Sequence, residues 1–133
     1  MSFAVAQYRS NQVQTASPAR VVVQFYDGAI KFIKLAAAAL EARDFAAKGK
    51  YLSRAHAIVT ELRCNLDPER APELCAELER LYVYVLDCIT EANMKADAKA
   101  LVPAIKVLEL LRSAWAAVAD EPNGSGVCVI GTP

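Results

Sequence analysis

The chain has 133 residues, enough for one domain with one core, and 55% of them are hydrophobic against 23% charged. Fifteen basic and fifteen acidic side chains cancel, so no long-range field selects nucleic acid or an anionic membrane surface. Charges interrupt every apolar segment before the roughly 18 residues that a bilayer span needs.

Taken from the start, Met1-Ser2-Phe3 lacks the basic-then-apolar opening of a secretory signal. Residues 1–16 read as an arm carrying Phe3, Val5, Tyr8 and Val13 among Gln, Asn and Ser. It is either a frayed terminus or a segment that docks these groups on the body, with Tyr8 the best anchor because it offers area and one polar handle. Ser17-Pro18 is a helix start: serine caps an orphan amide, and proline at the first position gives up a donor that has no partner there. Val22, Phe25, Ala29, Phe32 or Ile33, Ala36 and Leu40 then recur at helical spacing, predicting a helix over about 18–41, roughly 35 Å long. Asp27-Gly28 lies inside that periodicity. A mid-helix glycine concedes about 1 kcal/mol against alanine, so it implies a close approach, to a bundle helix or to a docked segment.

Asp44 is placed to cap a second helix over about 44–65, with Tyr51, Ala55, Ile58, Leu62 and Leu66 as its stripe. Pro68 and Pro72 bracket a connection. The third helix is predicted over about 72–95, with Leu74, Leu78, Leu81, Val85, Ile89 and Ala92 facing inward; Asp97 caps a fourth over about 98–119, with Leu101, Ile105, Leu108, Leu111 or Arg112, and Trp115 inward. The tail, residues 120–133, combines glycines, prolines and the run Val127-Cys128-Val129-Ile130. Its glycine-rich part reads as flexible, and the apolar run can pair, dock or remain unstructured.

Four long helices with short connections predict an all-α fold: a single-domain antiparallel up-down four-helix bundle with an N-terminal arm and a flexible C-terminal tail. Helices one, three and four carry more apolar surface than one closed core requires. Either they are buried all round, or they leave a groove for a partner.

Chemistry is hard to build from these residues. His56 is the single histidine, no Glu-x-x-His pair occurs, and Cys64, Cys75, Cys88 and Cys128 form no C-x-x-C pair. Gly124-Ser125-Gly126 lacks the lysine and following helix of a phosphate loop. The reading is a non-enzyme without metal or cofactor, with thiols suited to a reducing cytoplasm.

Thr15-Ala16-Ser17-Pro18 followed by Phe25-Tyr26-Asp27-Gly28-Ala29-Ile30-Lys31-Phe32 closely resembles the flagellar secretion chaperone FliS family, the flagellin-specific export chaperones of bacteria. The likeness continues through Tyr8, through Ala55-His56-Ala57-Ile58-Val59-Thr60-Glu61-Leu62 with Leu66-Asp67, and through Leu81-Tyr82-Val83-Tyr84. It extends to Glu91-Ala92-Asn93 with Asp97, and to Leu108 and Leu111-Arg112-Ser113-Ala114-Trp115. Order and spacing carry it, more than any one fragment. The Gly-free Pro68-Glu69-Arg70-Ala71-Pro72 connection and Val23-Gln24-Phe25 depart from the family pattern.

The resemblance implies a bundle that holds the disordered C-terminal region of flagellin in the cytoplasm, prevents premature polymerisation and presents it to the flagellar type III export gate. It implies that the arm can occupy part of the client's site. It involves no nucleic acid and no membrane insertion. The residues expected to touch the client are Tyr8 and Val13 on the arm, Tyr26 and Ile30 on the first helix, Tyr51 and Ile58 on the second, Leu78, Tyr82 and Leu86 on the third, and Leu110 on the fourth. The competing expectation is a helical adaptor or structural protein with a partner other than flagellin.

Overall fold

A computed structural model gives the structure of residues 17–121. The predicted arm, with Tyr8 and Val13, and the tail beyond Glu121 lie outside the described residues. The first helix, α1, spans Pro18–Glu41, and the Ser17 side chain accepts from the Arg20 amide at 3.2 Å. Its exit is a tight turn through Arg43 at φ 59°, a left-handed conformation that costs a side-chain-bearing residue energy. Asp44 then accepts from the Ala47 amide and starts α2, Phe45–Cys64. Asn65 closes α2 by donating to the Glu61 carbonyl and carboxylate.

The third helix, α3, spans Pro72–Lys95 and stops at left-handed Ala96. The fourth segment differs from the continuous helix predicted over about 98–119. Asp97 caps a 3-10 turn, Ala98–Ala100, and the α-helix proper, α4, is Leu101–Ala119. Pro103 therefore sits in the first turn of α4, where no intrahelical donor is missed.

The helices form a square. α1 packs against α2 and α4, and α3 closes the other two sides. Polar contacts fix the antiparallel directions. Lys48 at the start of α2 donates to Asn93 at the end of α3 (2.8 Å), Arg63 at the end of α2 pairs with Glu79 near the start of α3 (2.8 Å), and Arg20 at the start of α1 pairs with Asp120 just past α4 (2.7 Å).

Each helix contributes one seam of inward residues stepping by three and four: Ala19, Val22, Tyr26, Ala29, Ile33, Ala36 and Leu40 on α1; Leu52, Ala55, Val59 and Leu62 on α2; Cys75, Leu78, Tyr82, Val85, Ile89 and Ala92 on α3; Leu101, Ala104, Leu108, the half-buried Leu111 and Trp115 on α4. This is the alternation of nearly parallel helices meshing knobs into holes.

The stripes predicted from sequence drift from these seams by one residue in places. Leu74 is 47% exposed and Leu81 half-buried, and Cys75 and Tyr82 take the inward positions. Tyr51 is half-buried where Leu52 faces in, and Arg112 turns outward to Asp27. The reason is that several residues of each helix are apolar enough for the core. Which of two adjacent phases wins depends on the partner helix.

Candidate functional site

At the centre of the bundle Tyr26 and Tyr82 meet across the diagonal between α1 and α3. Their hydroxyls lie 2.6 Å apart and their rings 6.4 Å between centroids. Both are fully buried, so each hydroxyl satisfies the other where water cannot. Burial pushes the Tyr82 hydroxyl up to about 12, against the hydrogen bond from Tyr26. Burial and the Tyr82 oxygen raise Tyr26 further, and the Trp115 indole opposes the rise. Gly28 turns to α2: a Cβ there would stand 3.3 Å from Ile58 Cδ1. The close approach that Gly28 implied is therefore a helix–helix contact, and Ile58 fills the space a side chain would take.

Around this core the surface is uneven. α4 is on average the most apolar helix, yet only Leu101, Ala104, Leu108 and Trp115 are buried on it. The apolar remainder is ordered. Pro103, Val107, Leu110, Ala114 and Ala117 step by four, three, four and three, making a second seam about 115° around the helix from the core seam. Pro103 and Val107 are half-buried, Ala114 and Ala117 are exposed, and Leu110 is 72% exposed.

Ion pairs to α1 fix which way this outer seam faces. Arg20, Asp27 and Lys34, each a heptad apart, pair with Asp120, Arg112 and Glu109. These residues mark the α1 side of α4, and the outer seam lies on the far side of them. On α3 the side toward α2 is marked by Glu79 and Asn93; Leu74, Leu81 and Tyr84 lie away from it. The exposed seams of α3 and α4 thus turn toward the same side of the square. The α4 seam is apolar and small at Ala114 and Ala117, which leaves room for a close backbone. On α3, Cys88 pushes the Tyr84 hydroxyl up, and burial raises the Cys88 thiol.

The residues expected to touch a client divide accordingly. Leu110 stands open, and Tyr51 is half-buried and stacked on Phe32 at 6.3 Å, with the Arg54 guanidinium over Phe32. Ile30, Ile58, Leu78 and Leu86 are buried, and Tyr26 and Tyr82 are held by each other. Sequence reading did not single out Val102, Met94 or Phe45, which are also exposed; Phe45 is flanked by Arg43 and Lys48. Nor did it single out Gln24, whose Oε1 is sealed from solvent with no donor among the described residues. No sequence signal marks Gln24, because its burial depends on what packs over it.

No group of three or more His, Cys, Asp or Glu side chains could hold a metal ion among the described residues. His56 is exposed, with Thr60 Oγ1 at 3.4 Å from Nδ1. No described helix is long and apolar enough to cross a membrane.

Known proteins identify the family. The family described as "Flagellar protein FliS" matches residues 1–122. The chain is 35% identical over 108 residues to the flagellar secretion chaperone FliS of Bacillus subtilis, covering 81% of this chain and 80% of that protein. It is 32% identical over 112 residues to the Salmonella typhimurium protein of the same name (84% and 83% covered). The Vibrio cholerae protein of that name is 29% identical over 121 residues (91% and 89%). With a match across nearly all of a non-catalytic helical bundle, the chain belongs to the FliS family of flagellar secretion chaperones.

Proposed function

We propose that this chain binds the C-terminal region of flagellin in the cytoplasm, keeps it from polymerising and delivers it to components of the flagellar type III export gate. The observation that carries the reading is the outer seam of α4. An apolar heptad turned from the core, beside Tyr84 of α3, has the form of a groove for one amphipathic helix. Burying such a face stabilises by about 25 cal/mol per Å² of apolar area, less the ordering cost of a disordered client. That opposition makes a hold that can be released without nucleotide. Leu110 is the central contact, and Tyr51, stacked on Phe32, is a second point on another side of the bundle that a wrapping client reaches. The buried residues Tyr26, Ile30, Ile58, Leu78, Tyr82 and Leu86 support the client surface only through the core they build. Tyr8 and Val13 act as a resident competitor on the arm.

Calorimetric titration with a peptide from the C-terminal region of flagellin tests this. Saturable binding is expected, and Leu110→Asp weakens it at least about tenfold, or about 1.4 kcal/mol, with an unchanged Tm because Leu110 is not part of the core. Deleting residues 1–16 tightens binding. Absence of saturation at roughly tens of micromolar overturns the flagellin reading in favour of an adaptor for another partner.

A further inference from the structure

We propose that the outer face shared by α1 and α2 docks an acidic segment of a partner protein, at a site separate from the outer seam of α4. Three observations carry it. The first is how charge is distributed. The chain as a whole is neutral, yet residues 45–60, most of α2, contain Lys48, Lys50 and Arg54 and no acid. The second is pairing. Basic side chains on α3 and on the α4 side of α1, such as Arg80, Lys95, Arg20 and Lys34, are ion-paired within the chain. Lys31, Lys50 and Arg54 are exposed and form no ion pair with a described residue. The third is geometry. The Arg54 guanidinium lies over the Phe32 ring at 5.6 Å, and Phe32 stacks on Tyr51 with ring centroids 6.3 Å apart. This stack bridges α1 and α2 and holds the guanidinium in place while leaving its N–H groups for a partner.

These features set the chemistry of the occupant. Lys50 stands one helical turn from Arg54, about 6 Å along α2, and Lys31 adjoins Phe32 on α1. Two carboxylates one helical turn apart match Arg54 and Lys50, with the arginine taking its carboxylate bidentately. Leu35, one turn beyond Lys31, is at the border of full exposure and gives an apolar step on the same face, so an aliphatic or aromatic side chain between the carboxylates covers it together with Tyr51. Three cations over about two turns have the footprint of a short peptide. A polynucleotide needs a longer basic track, and half-buried rings give a bilayer no protruding anchor. Tyr51 is shared with the flagellin reading, but the cations are not, and the inference stands on them.

Fluorescence anisotropy on the full chain tests it. The probe is a labelled peptide of two Glu-Leu-Phe-Ala-Glu-Leu-Ala repeats, and its control has Lys in place of Glu. Saturable binding of the acidic probe alone is expected, weakening as salt is raised. Arg54→Glu weakens it about tenfold or more. Lys50→Glu, which leaves the Phe32 stack intact, weakens it severalfold. Lys106→Glu, the same charge change on an exposed lysine of α4, and Leu110→Asp leave it unchanged. Equal loss from Lys106→Glu shows unspecific attraction and overturns the proposal. So does loss from Leu110→Asp, which puts the probe on the α4 seam, and so does failure of the probe to saturate. Tighter, Arg54-dependent binding of a single-stranded oligonucleotide or of phosphatidylserine vesicles also overturns it, in favour of that polyanion. Flagellin peptide that binds where the probe does not leaves the client reading standing and this inference fallen; the reverse result does the opposite.

Discussion

At the residue scale the tyrosine pair is the most consequential feature. Two hydroxyls that hydrogen-bond each other in an apolar centre are coupled. Tyr82→Phe leaves the Tyr26 hydroxyl without that partner and should cost roughly 1–3 kcal/mol. The double change Tyr26→Phe with Tyr82→Phe should cost less than the sum of the two singles, a coupling that urea unfolding of the four proteins measures. The pair also sets an alkaline limit. Tyr82 titrates near 12 in the folded chain against an ordinary 10.0. A raised tyrosine means the folded state keeps its proton longer, so this stabilisation is whole below pH 10 and is lost as pH rises from 10 to 12. The loss is of the order of 2–3 kcal/mol. Unfolding midpoints between pH 9 and 12 should fall steeply, and more gently in the double Phe variant.

Gly28 is the second residue whose role is set by a neighbour. Alanine there gains helix propensity but meets Ile58 Cδ1 at 3.3 Å, and that methyl is the end of a side chain that can shift. Gly28→Ala should therefore change stability by less than about 1 kcal/mol, and Gly28→Leu should cost about 1–3 kcal/mol by overpacking, both read from thermal unfolding.

At the scale of elements, α4 has three faces. Its inner seam closes the core, its α1 side carries the ion-pair ladder, and its outer seam is apolar and lies outside the core. The ladder orients the helix more than it stabilises it, since its side chains are largely solvated. Arg112→Ala should cost at most about 1 kcal/mol, and less at 1 M salt, where surface pairs are screened. Asp27 beside the Arg112 guanidinium raises the arginine's proton affinity still further, so Arg112 keeps its charge. A larger, salt-insensitive loss in chemical denaturation would show the ladder to be part of the core.

At the scale of the molecule, the square of four meshed helices explains how one small chain can be stable and still present apolar surface. The four core seams are complete without Leu110, Tyr84 or Leu74, so these side chains are exposed at no expense to the core. Substitutions therefore sort into two sets. Those at Leu110 and Ala114 should alter client binding with Tm unchanged, and those at Ile33, Leu52 or Leu108 should lower Tm by several degrees and affect binding only through folding. A panel scored by thermal unfolding and peptide titration together checks that separation.

Much of this was determined by sequence alone. Ser17-Pro18, Asp44, the two prolines around the second connection and Asp97 set the helix starts, because capping and proline chemistry act within a few residues. The surplus of apolar residues on α3 and α4 was also legible, as were the fragments of family likeness. The phase of each seam was not. Tyr26 and Tyr82 turn inward because each finds the other 56 residues away, and Leu74 turns outward because Cys75 takes its place. Periodicity specifies that a helix has an apolar side. Only packing against specific neighbours selects which of several apolar phases is the core, and so which is left exposed on the surface.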